Sequence, residues 1–387
     1  MLVDRLDSRS LGADLERSAR VRWRGGEERL FLRVPAELAA PGDDATFFLC
    51  ALLLPAMRLH EDLEIDAPVS ARVLARQERI QRTWHAWDQS VRRCEVSAAG
   101  TLPPPERRGA DVASLFSRGV DSTYSAVVSR EEPGPLTRLV YVDGIEPLHG
   151  DEVRREEIRL VREAAEAVGL PLSVCSANVR TLTDGLLSWG DAHGGFLAGL
   201  AGALGGGLRH LVIPSTHTRT GLGPYGSHPL IDPLFSTEAV EIEHDEVVGR
   251  TGKVFLLAEE RPDLLPLLKV CFTEDGNGNC GRCSKCLLTM AALQAAGALE
   301  LATGFPDEVD AALIAEVRQE GFSLRTDWVE LARALPEGPV QAAVLRSLRR
   351  SRGPHVLRRP WSASPDQFTR HRVNTAIALL FDGRPYP

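Results

Sequence analysis

The sequence predicts an α/β protein built on a mostly parallel sheet with helices on both faces, with an N-terminal α+β domain before it and a C-terminal helical appendage after it. Three observations lead there. From Asp111 onward, short runs rich in β-branched residues alternate with helical patterns. The turn after the first of these runs, Ser117-Arg118-Gly119-Val120-Asp121-Ser122, opens directly into a helix. Beyond residue 299 every signal is helical. Strands separated by helices of this length imply parallel pairing with both faces covered.

Taken in order, residues 1–109 mix strand-like pieces such as Arg29 to Val34 with a helical pattern from Ala71 through Trp87. They end in the breaker run Leu102-Pro103-Pro104-Pro105-Glu106, which sets a boundary near residue 109. The α/β domain follows, over residues 110–298. A strand ending at Phe116 leads into a helix from Asp121, and Leu139 to Val142 is the next strand. Arg154 to Val168 is a helix with Ile158, Val161, Ala165 and Val168 on one face, closed by Gly169. The strand Leu172 to Cys175, a small-residue helix from Phe196 to Leu204 and the strand His210 to Ile213 continue the pattern. Residues 299–387 form the appendage, with helices at Val309 to Val317, Trp328 to Leu335 and Val340 to Leu348.

The loop between the strand ending at Phe116 and its helix has the features a phosphate requires. Exposed N–H groups and the positive end of a helix dipole converge there on one anion. Ser117, Ser122 and Thr123 add hydroxyl donors, and Gly119 lets the backbone approach closely. Asp121 fits such a cradle as an orienting group or as a holder of Mg²⁺ against the phosphates, which suits ATP. The chain has no Gly-x-x-x-x-Gly-Lys-Ser/Thr and no Gly-x-Gly-x-x-Gly at a first strand-to-helix turn.

This loop resembles that of the ATP pyrophosphatase, or PP-loop, superfamily of adenine nucleotide α-hydrolases, whose signature is Ser-Gly-Gly-x-Asp-Ser. The resemblance implies a Rossmann-like, HUP-type sheet, ATP as ligand and attack of a substrate oxygen on the α-phosphate. Val120 occupies the free position of the signature, and Arg118 stands where the family has glycine. A guanidinium there reinforces pyrophosphate binding or marks altered chemistry.

Cys280, Cys283 and Cys286, with Cys271 separated from the first of them by eight residues, offer four thiolates, enough to close a tetrahedral zinc site. Iron–sulfur ligation and a persulfide-carrying cysteine are the rival uses of such a run. Cys50, Cys94 and Cys175 sit in apolar or strand contexts and read as core residues. The spacing is similar to the C-terminal zinc motif of 7-cyano-7-deazaguanine synthases, PP-loop enzymes that use ATP and ammonia to convert a carboxylate to an amide and then a nitrile. The combined likeness spans Asp111 to Gly297, of which the loop and the cysteines are the specific part.

Further candidates follow from position in the sheet. Ligands of open parallel sheets bind beyond the carboxyl ends of strands, which brings Ser215 and His217 toward the nucleotide. Asp143 lies at the same edge, in reach of ribose or magnesium, although it and Asp151 serve equally well as helix-capping acids. The Gly- and Pro-dense stretch Gly221 to Pro233 reads as a covering segment. Within it His228 is a candidate acid or base oriented by Asp232, against the plainer reading of a surface histidine. The three lysines of the chain, Lys253, Lys269 and Lys285, fall between this segment and the cysteines, where forty-two arginines carry the remaining basic charge. Lys269 is a candidate phosphate ligand, and the placement of Lys253 reads as incidental.

A net charge of −8 excludes a general electrostatic grip on nucleic acid or an anionic membrane. The N-terminus lacks the form of a secretory signal, and Phe47 to Met57 is too short an apolar run to span a bilayer. Clustered, odd-numbered cysteines point to a reducing compartment, so a cytoplasmic enzyme is expected. The stretch Gln341 to Arg372 has eight arginines and one acid, suited to an acidic carrier protein or RNA, or simply to a solvated helix. A homodimer is a further expectation.

These features converge on a magnesium-dependent enzyme that adenylates a small carboxylate or amide and releases pyrophosphate for attack by a nitrogen nucleophile. A sulfur nucleophile acting on tRNA or a metabolite, and a non-catalytic nucleotide-binding subunit, are the alternatives.

Overall fold

Strands and helices alternate through the first 350 residues as follows: β1 (Leu2–Leu11), β2 (Asp14–Trp23), β3 (Gly26–Pro35), α1 (Thr46–Leu59), β4 (Leu63–Val69), α2 (Ala71–Trp87), β5 (Val96–Thr101), β6 (Asp111–Leu115), α3 (Val120–Val127), β7 (Arg138–Asp143), α4 (Asp151–Val168), β8 (Leu172–Ala177), α5 (Arg180–Thr183), α6 (Trp189–Ala203), β9 (Leu208–Ile213), β10 (Glu241–His244), α7 (Arg250–Glu260), α8 (Ser284–Ala295), α9 (Ala311–Glu316), α10 (Phe322–Ala334) and α11 (Pro339–Arg350). The computed structural model describes residues 1–351 apart from 132, 147–149, 219–220, 273–275, 320–321 and the side chains of 322–324. The arginines from Arg352 to Arg372, and Arg219, lie outside the described residues. Among the described residues no helix is long and apolar enough to cross a membrane.

The ten strands of the described residues join one sheet in the order β10-β9-β6-β7-β8-β3-β2-β1-β4-β5. The half made by β6 to β10 is wholly parallel. In the other half β1, β2 and β3 form an antiparallel meander, and β4 and β5 add on in parallel. The halves meet where β3 pairs antiparallel with β8, Leu32 opposite Ala177. Asn178 extends that seam: its side chain accepts from Phe31 N and donates to Arg29 O, each at 2.8 Å. The boundary expected near residue 109 therefore does not divide the sheet.

Both faces are covered, as the continuous apolar runs of β7 and β9 require. Val140, Val142, Leu211 and Ile213 pack with α1 and α6 on one face, whereas Leu139 and Tyr141 meet Val161 and Ala164 of α4 on the other. The small residues of α6 have a packing purpose. A Cβ at Gly195 would stand 2.5 Å from the Cys50 carbonyl of α1, and one at Gly194 would run into the Gly226 carbonyl. The close approach of α1 and of the covering segment thus depends on glycine at both positions. Helices α7 to α11 form a third layer around Val254, Leu288, Met290, Trp328, Leu331 and Val344.

Candidate functional site

The order of the parallel half reverses between β6 and β9: β7 and β8 follow β6 on one side, and β9 and β10 lie on the other. Such a reversal opens a crevice beyond the carboxyl ends of the strands. A cavity of about 480 Å³ occupies that place, lined by Ser117, Gly119, Val120, Asp121 and Ser122 after β6, by Ile145 and Glu146 after β7, and by Pro214, Thr216 and His217 after β9.

Helix α3 starts at Gly119 without a side-chain cap, and the residues of that start, Gly119 to Ser122, line this cavity. Ser122 Oγ accepts from Ser117 N at 3.1 Å and donates to Gly119 O, which closes the loop on itself. Arg118 adopts φ +61°, the left-handed region that favours glycine. Its guanidinium is turned away from the cavity and donates to both oxygens of buried Glu157 at 2.9 Å. The expectation that Arg118 holds pyrophosphate is corrected on this point. Its charge is spent on Glu157, and only its backbone shapes the loop.

Basic groups surround the loop. Arg250, at the start of α7, meets Asp121 Oδ2 at 2.5 Å, and the fully buried Lys253 reaches Asp121 Oδ1 at 3.1 Å. Burial alone would raise the Asp121 carboxyl, but these two cations outweigh it and hold it below its ordinary value. Asp121 is thus an anchor for cations, not a free ligand for Mg²⁺. Lys269 binds Glu146 at 2.6 Å and Glu157 at 3.2 Å, and its N–H donates to Arg118 O. Lys285 lies 3.9 Å over the Phe272 ring with no carboxylate partner among the described residues. Burial, aided by Arg250, pushes its ammonium down to about 8. Two cations share one Asp121 and Lys285 has no acid, so the cavity carries surplus positive charge.

Aromatic rings form its opposite lining. Trp189, His193, Tyr225 and His217 follow one another at centroid spacings of 6.0, 4.7 and 4.9 Å. Both ring nitrogens of His217 lack a partner among the described residues, and burial holds its pKa down to about 4, so the ring is neutral.

Several expected residues fall elsewhere. The His228 ring packs edge-on against Trp87 at 5.0 Å, away from the cavity, and burial keeps it neutral. Asp232 accepts from the His228 backbone N–H and from His244 Nδ1 at 2.7 Å, so it orients His244 and not the His228 ring. The acid–base pair read from the sequence is replaced by a structural knot. Ser215 Oγ donates to Glu246 O and accepts from Lys253 at 3.2 Å, which makes it a support for Lys253. Thr123 continues α3, its N–H bonded to Gly119 O, and Asp143 stands 4.0 Å from Arg154; neither lines the cavity.

The C-terminal layer supplies what the sequence reading missed. Helix α10 settles onto Gly221 and Gly249, where a Cβ at Gly221 would meet Thr326 at 3.3 Å and one at Gly249 would strike the Glu330 carboxylate. This brings Asp327 and Trp328 into the cavity wall, together with Gln319 and Arg318 from the preceding segment. No motif marks these residues. Lys253 had a weak signal, the confinement of the three lysines to one stretch, and Arg250 had none.

The four cysteines do converge: the sulfur atoms of Cys271, Cys280, Cys283 and Cys286 lie within 4.8 Å of one another. Tetrahedral zinc with bonds of 2.3 Å sets sulfurs about 3.8 Å apart, and Cys280 and Cys286 stand at 3.9 Å. Cys280 Sγ accepts from Arg282 N and Cys283 N in a turn closed by Gly281 at φ +68°. Hydrogen bonds, first from the Cys286 side chain, bring the Cys283 thiol down to about 5, in keeping with a thiolate ligand. The cluster can bind a metal such as zinc, and Cys271 also borders the cavity. It brings the start of α8, where Cys283 and Cys286 sit, up to Cys271 at the cavity edge.

No protein-family model, curated protein or solved structure matches this chain.

Proposed function

We propose that the chain is a magnesium-dependent ATP pyrophosphatase of PP-loop type, with a Rossmann-like, HUP-type sheet, that adenylates a carboxylate or amide for attack by a nitrogen nucleophile. The observation that carries this reading is the uncapped start of α3 opening into a cavity with surplus cations at the reversal of strand order. The triphosphate lies against the N–H groups of Gly119 to Ser122, with Lys269, Lys285 and Arg250 stabilising charge on the departing pyrophosphate. Mg²⁺ enters with the nucleotide's own phosphates, because Asp121 already serves Arg250 and Lys253. Zinc, held by the four cysteines, keeps the wall in place.

Nitrogen is preferred to sulfur because the four cysteines near the site are engaged with one another, and Cys50 and Cys175 are buried in the core. A decayed, non-catalytic loop is disfavoured by the ion pair that accommodates Arg118. With Mg-ATP and a panel of carboxylates and amides, the full chain is expected to form AMP and pyrophosphate. Formation of ADP and phosphate instead overturns the proposal.

A further inference from the structure

We propose that Asp327 and Gln319, brought in by the C-terminal helical layer, form the subsite that holds the attacking nitrogen, in ammonia or a small primary amine, through its N–H groups. This rests on the adenylating reading above.

Buried polar atoms in proteins almost always have partners. Asp327 is 3% exposed and Gln319 7%, yet Asp327 Oδ1 and Gln319 Oε1 have none among the described residues, and both residues line the cavity. The orientation of Gln319 follows from its neighbour. Ser347 spends its hydroxyl proton on Val317 O at 2.7 Å, so it can only accept from Gln319 Nε2, at 2.8 Å. The oxygen of Gln319 is therefore the atom left over. With Asp327 ionised, two oxygens left to accept call for a ligand that donates; a triphosphate and a carboxylate substrate carry no N–H, and the attacking nitrogen does.

The remaining wall suits a neutral amine. Tyr225, Trp189 and Trp328 line the same cavity, and the surplus cations around the loop favour the uncharged, lone-pair-bearing form over its ammonium. Arg250, which binds Asp121, lines the same cavity as the loop, Gln319 and Asp327. An amine held by the two oxygens shares that cavity with the adenylate. Its lone pair attacks the acyl carbon, the new C–N bond forms, and the C–O bond to AMP breaks with its electron pair leaving on AMP. The proton shed by nitrogen passes to Asp327 Oδ1. Burial, which pushes that carboxyl up to about 7, makes it a better proton acceptor than an ordinary carboxylate.

The test uses the full chain at pH about 8, where Asp327 is ionised. Its unfolding midpoint is measured in ammonium, tetramethylammonium and sodium chloride at matched ionic strength, each with and without Mg-ATP. Tetramethylammonium has the charge but no N–H. Ammonium is expected to raise the midpoint by about 2 °C or more over both other salts, to do so with Mg-ATP bound, and to lose this advantage in Asp327→Asn. Equal effects of ammonium and tetramethylammonium on the wild type overturn the inference, as does an undiminished ammonium effect in Asp327→Asn. An effect abolished by Mg-ATP assigns the two oxygens to the amino group of adenine and overturns it as well. Failure of Mg-ATP itself to shift the midpoint, with ammonium selectivity intact, removes the adenylating reading and leaves the amine site standing.

Discussion

Arg118 shows how one residue can depart from a loop pattern without abolishing the loop. A left-handed φ in a non-glycine residue costs about 1–3 kcal/mol, and the bidentate pair with Glu157 offsets it. Arg118→Gly relieves the backbone but leaves fully buried Glu157 with Lys269 as its remaining cation. Breaking a buried pair costs about 3–5 kcal/mol, so a net loss of about 2 kcal/mol is expected in urea unfolding, with nucleotide affinity changed less than about threefold. A large loss of affinity at unchanged stability would return Arg118 to the phosphates. Asp327 leads to a pH prediction. Burial pushes its folded carboxyl up to about 7 from an unfolded value of 3.8, so between these the folded state binds the extra proton and stability falls as pH rises. His217 acts oppositely: its folded value of about 4 lies below 6.5, and its contribution falls as pH drops through that window. Comparing wild type with Asp327→Asn isolates the carboxyl. Wild type should lose on the order of 4 kcal/mol relative to the variant between pH about 4 and about 7. Parallel stability curves would show that Asp327 ionises normally.

Among the elements, α8 has the clearest dependence on chemistry outside hydrogen bonding and apolar contact. Its N-cap is Cys283, whose sulfur accepts from Cys286 N, and its buried face of Leu288, Met290 and Leu293 supports α7 and α10. A metal bound here would couple to the seating of α10, and through it to Asp327. One metal per chain, zinc by elemental analysis, is expected. Cys283→Ala or a strong chelator should lower the unfolding midpoint by more than about 5 °C and weaken Mg-ATP binding. An iron content with visible absorbance would instead favour a cluster and the sulfur chemistry that goes with it. Helix α6 makes a different point. The sequence places a small-residue helix at Phe196 to Leu204, whereas in three dimensions the helix begins at Trp189 and its Gly194 and Gly195 are contact surface for the covering segment and α1.

At the scale of the whole molecule, the ten-stranded sheet joins two regions that the proline-rich run Pro103 to Pro105 marks as separable. Residues 110–387 alone would lose β3 from the edge of β8 and α1 from the face of α6, where Phe47 meets Phe196 at 5.6 Å. That fragment is expected to lack cooperative thermal unfolding. A sharp transition near that of the full chain would make the shared sheet incidental to stability. The C-terminal layer is integral in the same way, since it closes the cavity with Gln319, Asp327 and Trp328.

Much of this was legible in the chain itself, because periodicity and turn chemistry are local. The helix from Ala71 to Trp87 falls where its pattern places it, β7, β8 and β9 follow their apolar runs, and four cysteines close in sequence meet in space. Ser117 to Ser122 announced a helix start facing an anion, and the structure brings that start to a cavity. Direction and partnership of side chains were not legible. His228 and Asp232 are neighbours in sequence, yet their polar atoms serve a packing knot, while Asp121, Arg250 and Lys253 meet across more than a hundred residues. Local spacing decides which backbone groups can be exposed; long-range packing decides which charges are neutralised and which are left for a ligand. The strand order that opens the crevice, and the helix that carries Asp327 into it, belong to the second kind.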